Sequence, residues 1–274
     1  MEESMSTESF QSLEHAGWQA KAKHYDELFA AITNQAIVPI LSTFGDLAKK
    51  RLLDVACGTG HVAGQAGERG ALSEGIDFAA SMIAKARSNY PRVIFSEGNA
   101  EELPYAAEQF DAVACGFGLL HLENPERAIK DAWRVLKPGG RYTFTMWCSP
   151  EQGGAFFGLV MGAIKEHGSL NVPLPPAPPI FRFADRNECA KVLTEAGFSP
   201  PSFEVLRLKW QASDAHDLLD LIYKSMVRVP MLLLAQTDSA REAIHQAILA
   251  GSEKYRQGGT IEFAFPALMV TAEK

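Results

Sequence analysis

The segment Leu52-Leu53-Asp54-Val55-Ala56-Cys57-Gly58-Thr59-Gly60-His61 constrains this chain more than any other. An apolar run reads as a strand, a turn with two glycines follows, and a helical pattern begins at about His61. Gly58 and Gly60 permit dihedrals that a Cβ forbids and let the backbone approach a ligand closely. The helix beyond aims free N–H groups and a positive dipole end at the turn. Taken literally, Gly58-x-Gly60-x-x-Ala63 also matches the dinucleotide fingerprint, with Asp77 seventeen residues past Gly60. A plain structural turn is the other reading, because Gly-x-Gly is common.

Short apolar runs alternate with helical patterns around this turn. Strands are expected at Arg51–Ala56, Ala71–Asp77, Val93–Glu97, Phe110–Gly116 and Arg141–Trp147. Helices are expected from about His61, from about Ser81 and over Pro125–Val135, and Lys137-Pro138-Gly139-Gly140 reads as a stop and turn. Such alternation predicts right-handed βαβ units in a doubly wound, mainly parallel sheet, which binds ligands at the carboxyl ends of its strands. After Trp147 the pattern changes. Gly153–Gly168 reads as a helix, Val172–Pro179 as a stiff proline-rich segment, and Asp185–Ala196 as an amphipathic helix ended by Gly197. Phe203–Trp210 alternates as a strand, Asp214–Tyr255 is helical, and Glu262–Thr271 is a last strand.

Two acids narrow the ligand. Asp77 ends the second strand, where a carboxylate accepts both hydroxyls of an unphosphorylated ribose. Asp54, four residues before Gly58, would repel a pyrophosphate but suits an ammonium or sulfonium group. A nucleoside carrying a zwitterionic amino acid meets both demands, and S-adenosylmethionine is that ligand.

Five motifs stand in order: Asp54-Val55-Ala56-Cys57-Gly58-Thr59-Gly60; Gly75-Ile76-Asp77 with Ser81-Met82; Glu97-Gly98-Asn99-Ala100-Glu101-Glu102-Leu103-Pro104; Phe110-Asp111-Ala112-Val113; and Leu136-Lys137-Pro138-Gly139-Gly140. Together they resemble class I S-adenosylmethionine-dependent methyltransferases, in particular the broad group that includes ubiquinone and menaquinone biosynthesis enzymes. The resemblance spans Tyr25–Trp147 and, more loosely, Asp185–Trp210. It implies an α/β fold: a Rossmann-like, doubly wound, seven-stranded, mainly parallel sheet with an inserted helical cap. The expected organisation is an N-terminal helical cap segment (1–45), the cofactor-binding core (46–148), an inserted helix and proline-rich loop (149–184), a core helix and strand (185–212), a second helical insertion (213–259) and the last core strand (260–274).

By the same resemblance, Asp54, Gly58 and Gly60 hold the methionyl part of the cofactor and Asp77 the ribose. Met82 packs on the adenine, and Asn99 with the Ala100 backbone reads its edge. The family more often has Asp where Asn99 stands. Phe117 ends the fourth strand facing the cofactor, and Tyr25 closes over it. Met82 and Phe117 read equally as core filling. His121 is the candidate general base or acceptor-orienting group, with helix capping as its alternative. Phe156, Phe181 and Tyr223, with other apolar residues beyond Trp147, are candidates for an acceptor pocket or for the cap's own core.

The formal net charge of −7 opposes a broad footprint on nucleic acid, and no Asn/Asp-Pro-Pro-Tyr/Phe signature follows the fourth strand. No apolar stretch reaches the ~20 residues of a membrane span. Met1–Phe10 is acidic and polar, unlike a secretory signal. Cys57, Cys115, Cys148 and Cys189 are too scattered for a zinc site or disulfide framework, so no metal is expected and the chain reads as cytoplasmic. The expectation is a methyltransferase acting at oxygen or carbon of an apolar small molecule. An NAD-dependent oxidoreductase and a non-catalytic S-adenosylmethionine-binding module are the alternatives.

Overall fold

Alternating strands and helices in the first half build a parallel sheet, as the pattern predicts. The computed structural model describes residues 9–274. Residues 1–8, part of the acidic stretch and of the expected N-terminal cap segment, lie outside the described residues. The order runs α1 (Phe10–Glu27), α2 (Ala30–Thr33), α3 (Ile37–Ser42), β1 (Arg51–Val55), α4 (His61–Glu68), β2 (Leu72–Asp77), α5 (Ala80–Asn89), β3 (Ile94–Glu97), β4 (Phe110–Gly116), α6 (Pro125–Val135) and β5 (Leu136–Trp147). Beyond it come α7 (Ala155–His167), α8 (Arg186–Ala196), β6 (Ser202–Ala212), α9 (His216–Ser225), α10 (Arg228–Leu234), α11 (Asp238–Ser252), β7 (Arg256–Gln257) and β8 (Thr260–Glu273).

The sheet order is β3-β2-β1-β4-β5-β8-β6. β1 pairs in parallel with β2 and β4, while β8 runs antiparallel between β5 and β6. The strand count is a correction: the sheet has eight strands, not seven. The extra one, β7, is a two-residue strand paired with the start of β8, too short to leave a periodic signal.

Local chemistry explains most element ends. Pro125 opens α6, where its missing N–H costs nothing. Gly197 closes α8 at φ +103°. There Phe198 N–H donates to Leu193 C=O and Gly197 N–H to Thr194 C=O, both at 3.0 Å. Lys137–Gly140 differs from its expected turn. It is absorbed into β5 as a bulge, where the register jumps from Phe110↔Leu136 to Ala112↔Arg141 and Gly139 takes φ +75°. The long helical stretch after Asp214 is three helices, because α9 ends before extended Met226 and Thr237 starts α11 by accepting from Ala240 N–H.

α7 and the inner face of β8 share an aromatic core. Phe156 is 0% exposed, stacks on Phe265 at 4.7 Å and meets Phe157 edge-on at 5.1 Å. Removing such a ring leaves a cavity that rigid neighbours do not fill. Phe156→Ala is expected to lower unfolding free energy by about 3–5 kcal/mol in urea denaturation, whereas a small loss would place the ring outside the core.

Candidate active site

The strand order reverses direction between β1 and β4, the switch point where open α/β sheets bind ligands. A cavity of about 820 Å³, counting its open mouth, lies there. The carboxyl ends of the strands supply one wall: Ala56 and Gly58 after β1, Asp77 on β2, Asn99 and Ala100 after β3, Gly116 and Phe117 at the end of β4, and Trp147 on β5. α1 supplies the cover with Gln11, Trp18 and Tyr25, spaced seven apart and so on one helix face. Polar contacts fasten α1 over the glycine turn. His61 Nε2 meets Asp26 Oδ1 at 2.6 Å, and Gln19 Oε1 accepts from Ser81 N–H at 2.7 Å.

A smaller cavity of about 440 Å³ shares Tyr25, Thr33, Ala56, Gly58, Gly116 and Phe117 with the first and ends on Asp54 and Thr59. The two form one crevice with a buried acid toward each end. Asp54 is 1% exposed, and its Oδ2 accepts from Ala63 N–H at 3.0 Å. Burial, reinforced by the charge of Asp77, pushes its carboxyl up to about 7 despite that hydrogen bond. Asp77 is also raised by burial, against N–H groups of Ala79 and Gly58 that donate to its two oxygens at 2.9 and 2.8 Å. Tyr25 is pushed up to about 12 by burial, so it is a neutral phenol; its hydroxyl pairs with Thr33 Oγ1 at 3.0 Å.

The turn is shaped as the sequence suggests. Gly58 has φ +53°, and a Cβ there would meet nothing within 4 Å, so its backbone borders open space. Gly60 differs. It has φ +85°, and a Cβ would lie 2.6 Å from the Phe95 ring, so it keeps α4 close to α5 and β3 without lining the crevice. Ala56 and Phe117 adopt φ +53° and +58° although neither is glycine, strain held at the two strand ends that flank the crevice.

The structure therefore brings Tyr25, Gly58, Asp77, Met82, Asn99, Ala100 and Phe117 to one cavity and Asp54 to its continuation. His121 lines it too, with Nδ1 at 2.8 Å from Glu14 Oε2 on α1. A third, mostly apolar cavity of about 390 Å³ shares Trp18, Phe29, His121 and Trp147 with the first and is walled by Leu120, Phe157, Ile180, Met226 and Val229. The named acceptor candidates are not among its lining. Phe156 packs in the core, Phe181 meets Phe157 edge-on, and the Tyr223 hydroxyl is paired with His245 at 2.7 Å.

Trp18, Phe29, Trp147 and Glu14 escaped the sequence reading. Trp147 stacks on Phe117 at 4.0 Å and 18°, and Trp18 meets the His121 ring edge-on at 4.8 Å. The spacing of Gln11, Trp18 and Tyr25 was the available signal for α1. None marked Trp147, which ended a strand like any core residue.

Residues 53–144 match the family described as "Methyltransferase domain". A demethylmenaquinone methyltransferase from Chlorobaculum parvum is 43% identical over 91 residues, 33% of this chain and 38% of that protein. A ubiquinone/menaquinone biosynthesis C-methyltransferase from Rhizobium meliloti is 33% identical over 171 residues, 56% of this chain and 66% of that protein. This chain thus spans well under half of the first relative's length. The YcgJ protein of Bacillus subtilis superposes with a TM-score of 0.58 at 19% identity, covering 88% of this chain and 98% of that one. Residues 53–144 of this chain are thus similar to a methyltransferase domain.

The raised Asp54 carries a pH signature. In the folded protein it holds its proton up to about pH 7, whereas its ordinary value is 3.8. Its favourable contribution to ligand-free stability is complete below the lower value and is lost as pH rises through the upper one. A cationic ligand needs the ionised form and must displace that proton. The affinity for S-adenosylhomocysteine, which keeps the ammonium of its amino acid group, is therefore expected to rise as pH climbs toward about 7, by up to about tenfold per unit on the acid side. Calorimetry at several pH values reads this slope. Asp54→Asn should flatten it, and a flat wild-type profile would refute the electrostatic role.

Proposed function

We propose that this chain is an S-adenosylmethionine-dependent methyltransferase that moves a methyl group to oxygen or carbon of an apolar small molecule by in-line displacement. The observation that carries the proposal is the continuous crevice, with Asp54 at one end and Asp77 and Asn99 toward the other, opening past Trp147 onto an apolar cavity.

The residues present fit the cofactor. A carboxylate offers about four lone-pair positions, so Asp77 retains acceptor capacity for ribose hydroxyls after its two backbone bonds. Asn99 Oδ1 accepts from Glu101 N–H at 2.9 Å, which leaves its amide N–H groups for the adenine edge, flanked by Met82. At the other end the buried Thr59 Oγ1 has no hydrogen-bond partner and lines the same cavity as Asp54, a donor and an acid that suit a zwitterionic amino acid group. Gly58 leaves the space such a group would occupy. When bound, S-adenosylmethionine supplies an activated methyl on a sulfonium. The protein's task is to align, to enclose and to exclude water, effects that supply ~7–11 kcal/mol. Tyr25, Phe117 and Trp147 shut the crevice with rings, and His121 stands where the crevice meets the apolar cavity.

The acceptor is proposed to be a small molecule seated in that cavity, not nucleic acid, and the reaction to be cytoplasmic. The relatives' names put quinone-type rings first among acceptors to test. Calorimetry should show S-adenosylhomocysteine binding, and radiolabelled methyl should enter a small-molecule extract; no binding of either cofactor form would overturn the proposal. Asp77→Ala is expected to weaken S-adenosylhomocysteine by ~1–3 kcal/mol through loss of charge-assisted hydrogen bonds, and an unchanged affinity would exclude the ribose role.

A further inference from the structure

Glu14 on α1 is 0% exposed, yet only its Oε2 has a hydrogen-bond partner, His121 Nδ1 at 2.8 Å. Its Oε1 is buried without one. The nearest cation is Arg228, with Nε 3.8 Å from that oxygen. Arg228 is itself fixed, donating to Leu120 C=O at 3.0 Å and Pro178 C=O at 2.9 Å. Charge burial of this kind is costly unless compensated, and here the compensation is an arginine on one side and an imidazole on the other. His121 lines both the cofactor crevice and the apolar cavity, and its Nε2 makes no hydrogen bond to any described residue. A carboxylate on Nδ1 keeps the proton on that nitrogen and leaves the Nε2 lone pair unengaged.

We propose that Glu14 is a positioning residue that makes His121 Nε2 a general base toward an acceptor hydroxyl, which loses its proton as the acceptor is methylated. This rests on the methyltransferase reading. The acceptor O–H bond breaks and its proton goes to Nε2. The electron pair left on the acceptor forms the new bond to methyl, at that oxygen or at a conjugated ring carbon, while the pair of the C–S bond stays on sulfur. At carbon, the displaced ring proton restores the hydroxyl; in either case the imidazolium proton passes to water and balances the lost sulfonium charge. Leu120, Phe157, Ile180, Met226 and Val229 give this cavity apolar walls, with Ser225 and Arg228 as its polar lining beside His121. Because Glu14 belongs to the helix that covers the crevice, the base is oriented only with α1 docked.

The other charged or titratable groups around His121 are His15 on α1, Asp77 across the cavity, Glu101, which accepts from Asn124 N–H and Nδ2, and Glu123 on its own loop. None of them holds Nδ1.

The test compares wild type with Glu14→Gln, both saturated with S-adenosylhomocysteine. Imidazole ¹⁵N NMR should show neutral His121 protonated on Nδ1 in wild type, and should show that preference lost in Glu14→Gln. S-adenosylhomocysteine affinity should stay within about twofold, since the carboxylate lies outside the cofactor's contacts. Methylation of 1,4-dihydroxynaphthalene, kept reduced, should slow by about 10–100-fold at neutral pH and recover as pH rises and the substrate ionises unaided. 4-Nitrophenol at pH 9, already ionised, should be methylated equally by both. The same tautomer and pH–rate profile in both proteins would overturn the proposal while leaving the methyltransferase reading intact. Absence of S-adenosylhomocysteine binding in wild type would instead overturn that reading. If neither phenol is methylated, or the variant does not fold, the wild-type tautomer decides, with a proton on Nε2 counting against the dyad.

Discussion

Two buried carboxylates at the ends of adjacent parallel strands, each held by backbone N–H groups, organise this site. Asp54 accepts from the first turn of α4, and Asp77 accepts from the glycine turn and from the residue before α5. These bonds satisfy orphan donors near two helix starts and hold the turn open in the shape a nucleoside needs. They also keep two acids within each other's field in a place where water is scarce, which is why both hold protons more tightly than free carboxyls.

The second requirement is a roof. α1 lies far from the glycine turn in topology but closes over it, with Trp18 and Tyr25 facing inward and Asp26 reaching His61. Excluding water strengthens every polar interaction below it. The same helix carries Glu14, so the element that covers the crevice also touches His121 where the crevice meets the apolar cavity, by direct contact rather than through the sheet.

The second half of the chain divides its labour. β6 and β8 complete the sheet, and α7 covers β8 with an aromatic layer centred on Phe156 and Phe265. The start of α10 and the residues before it, Met226 to Val229, reach back toward Trp147 and line the apolar cavity. Arg228 ties these pieces together by donating to the loop after β4 and to the proline-rich segment.

The amino-acid order alone determined the strand–turn–helix units, the ligand-facing glycine at position 58 and the acids at 54 and 77. These are local: a periodic run, a Cβ that must be missing, a carboxylate a fixed number of residues from a turn. Asn99 and Phe117 were legible through motif order, each within two residues of its strand end, and Met82 through its place in the first turn of α5 after β2. Only the tertiary structure decided that Gly60 serves packing, that Lys137–Gly140 is a bulge, and that Phe156, Phe181 and Tyr223 are not among the residues lining the apolar cavity. An aromatic residue at helical spacing carries the same signal whether it fills a core or faces a ligand. Likewise the meeting of Glu14 with His121, 107 positions apart, depends on how a helix docks across a folded sheet, and no local pattern records that contact.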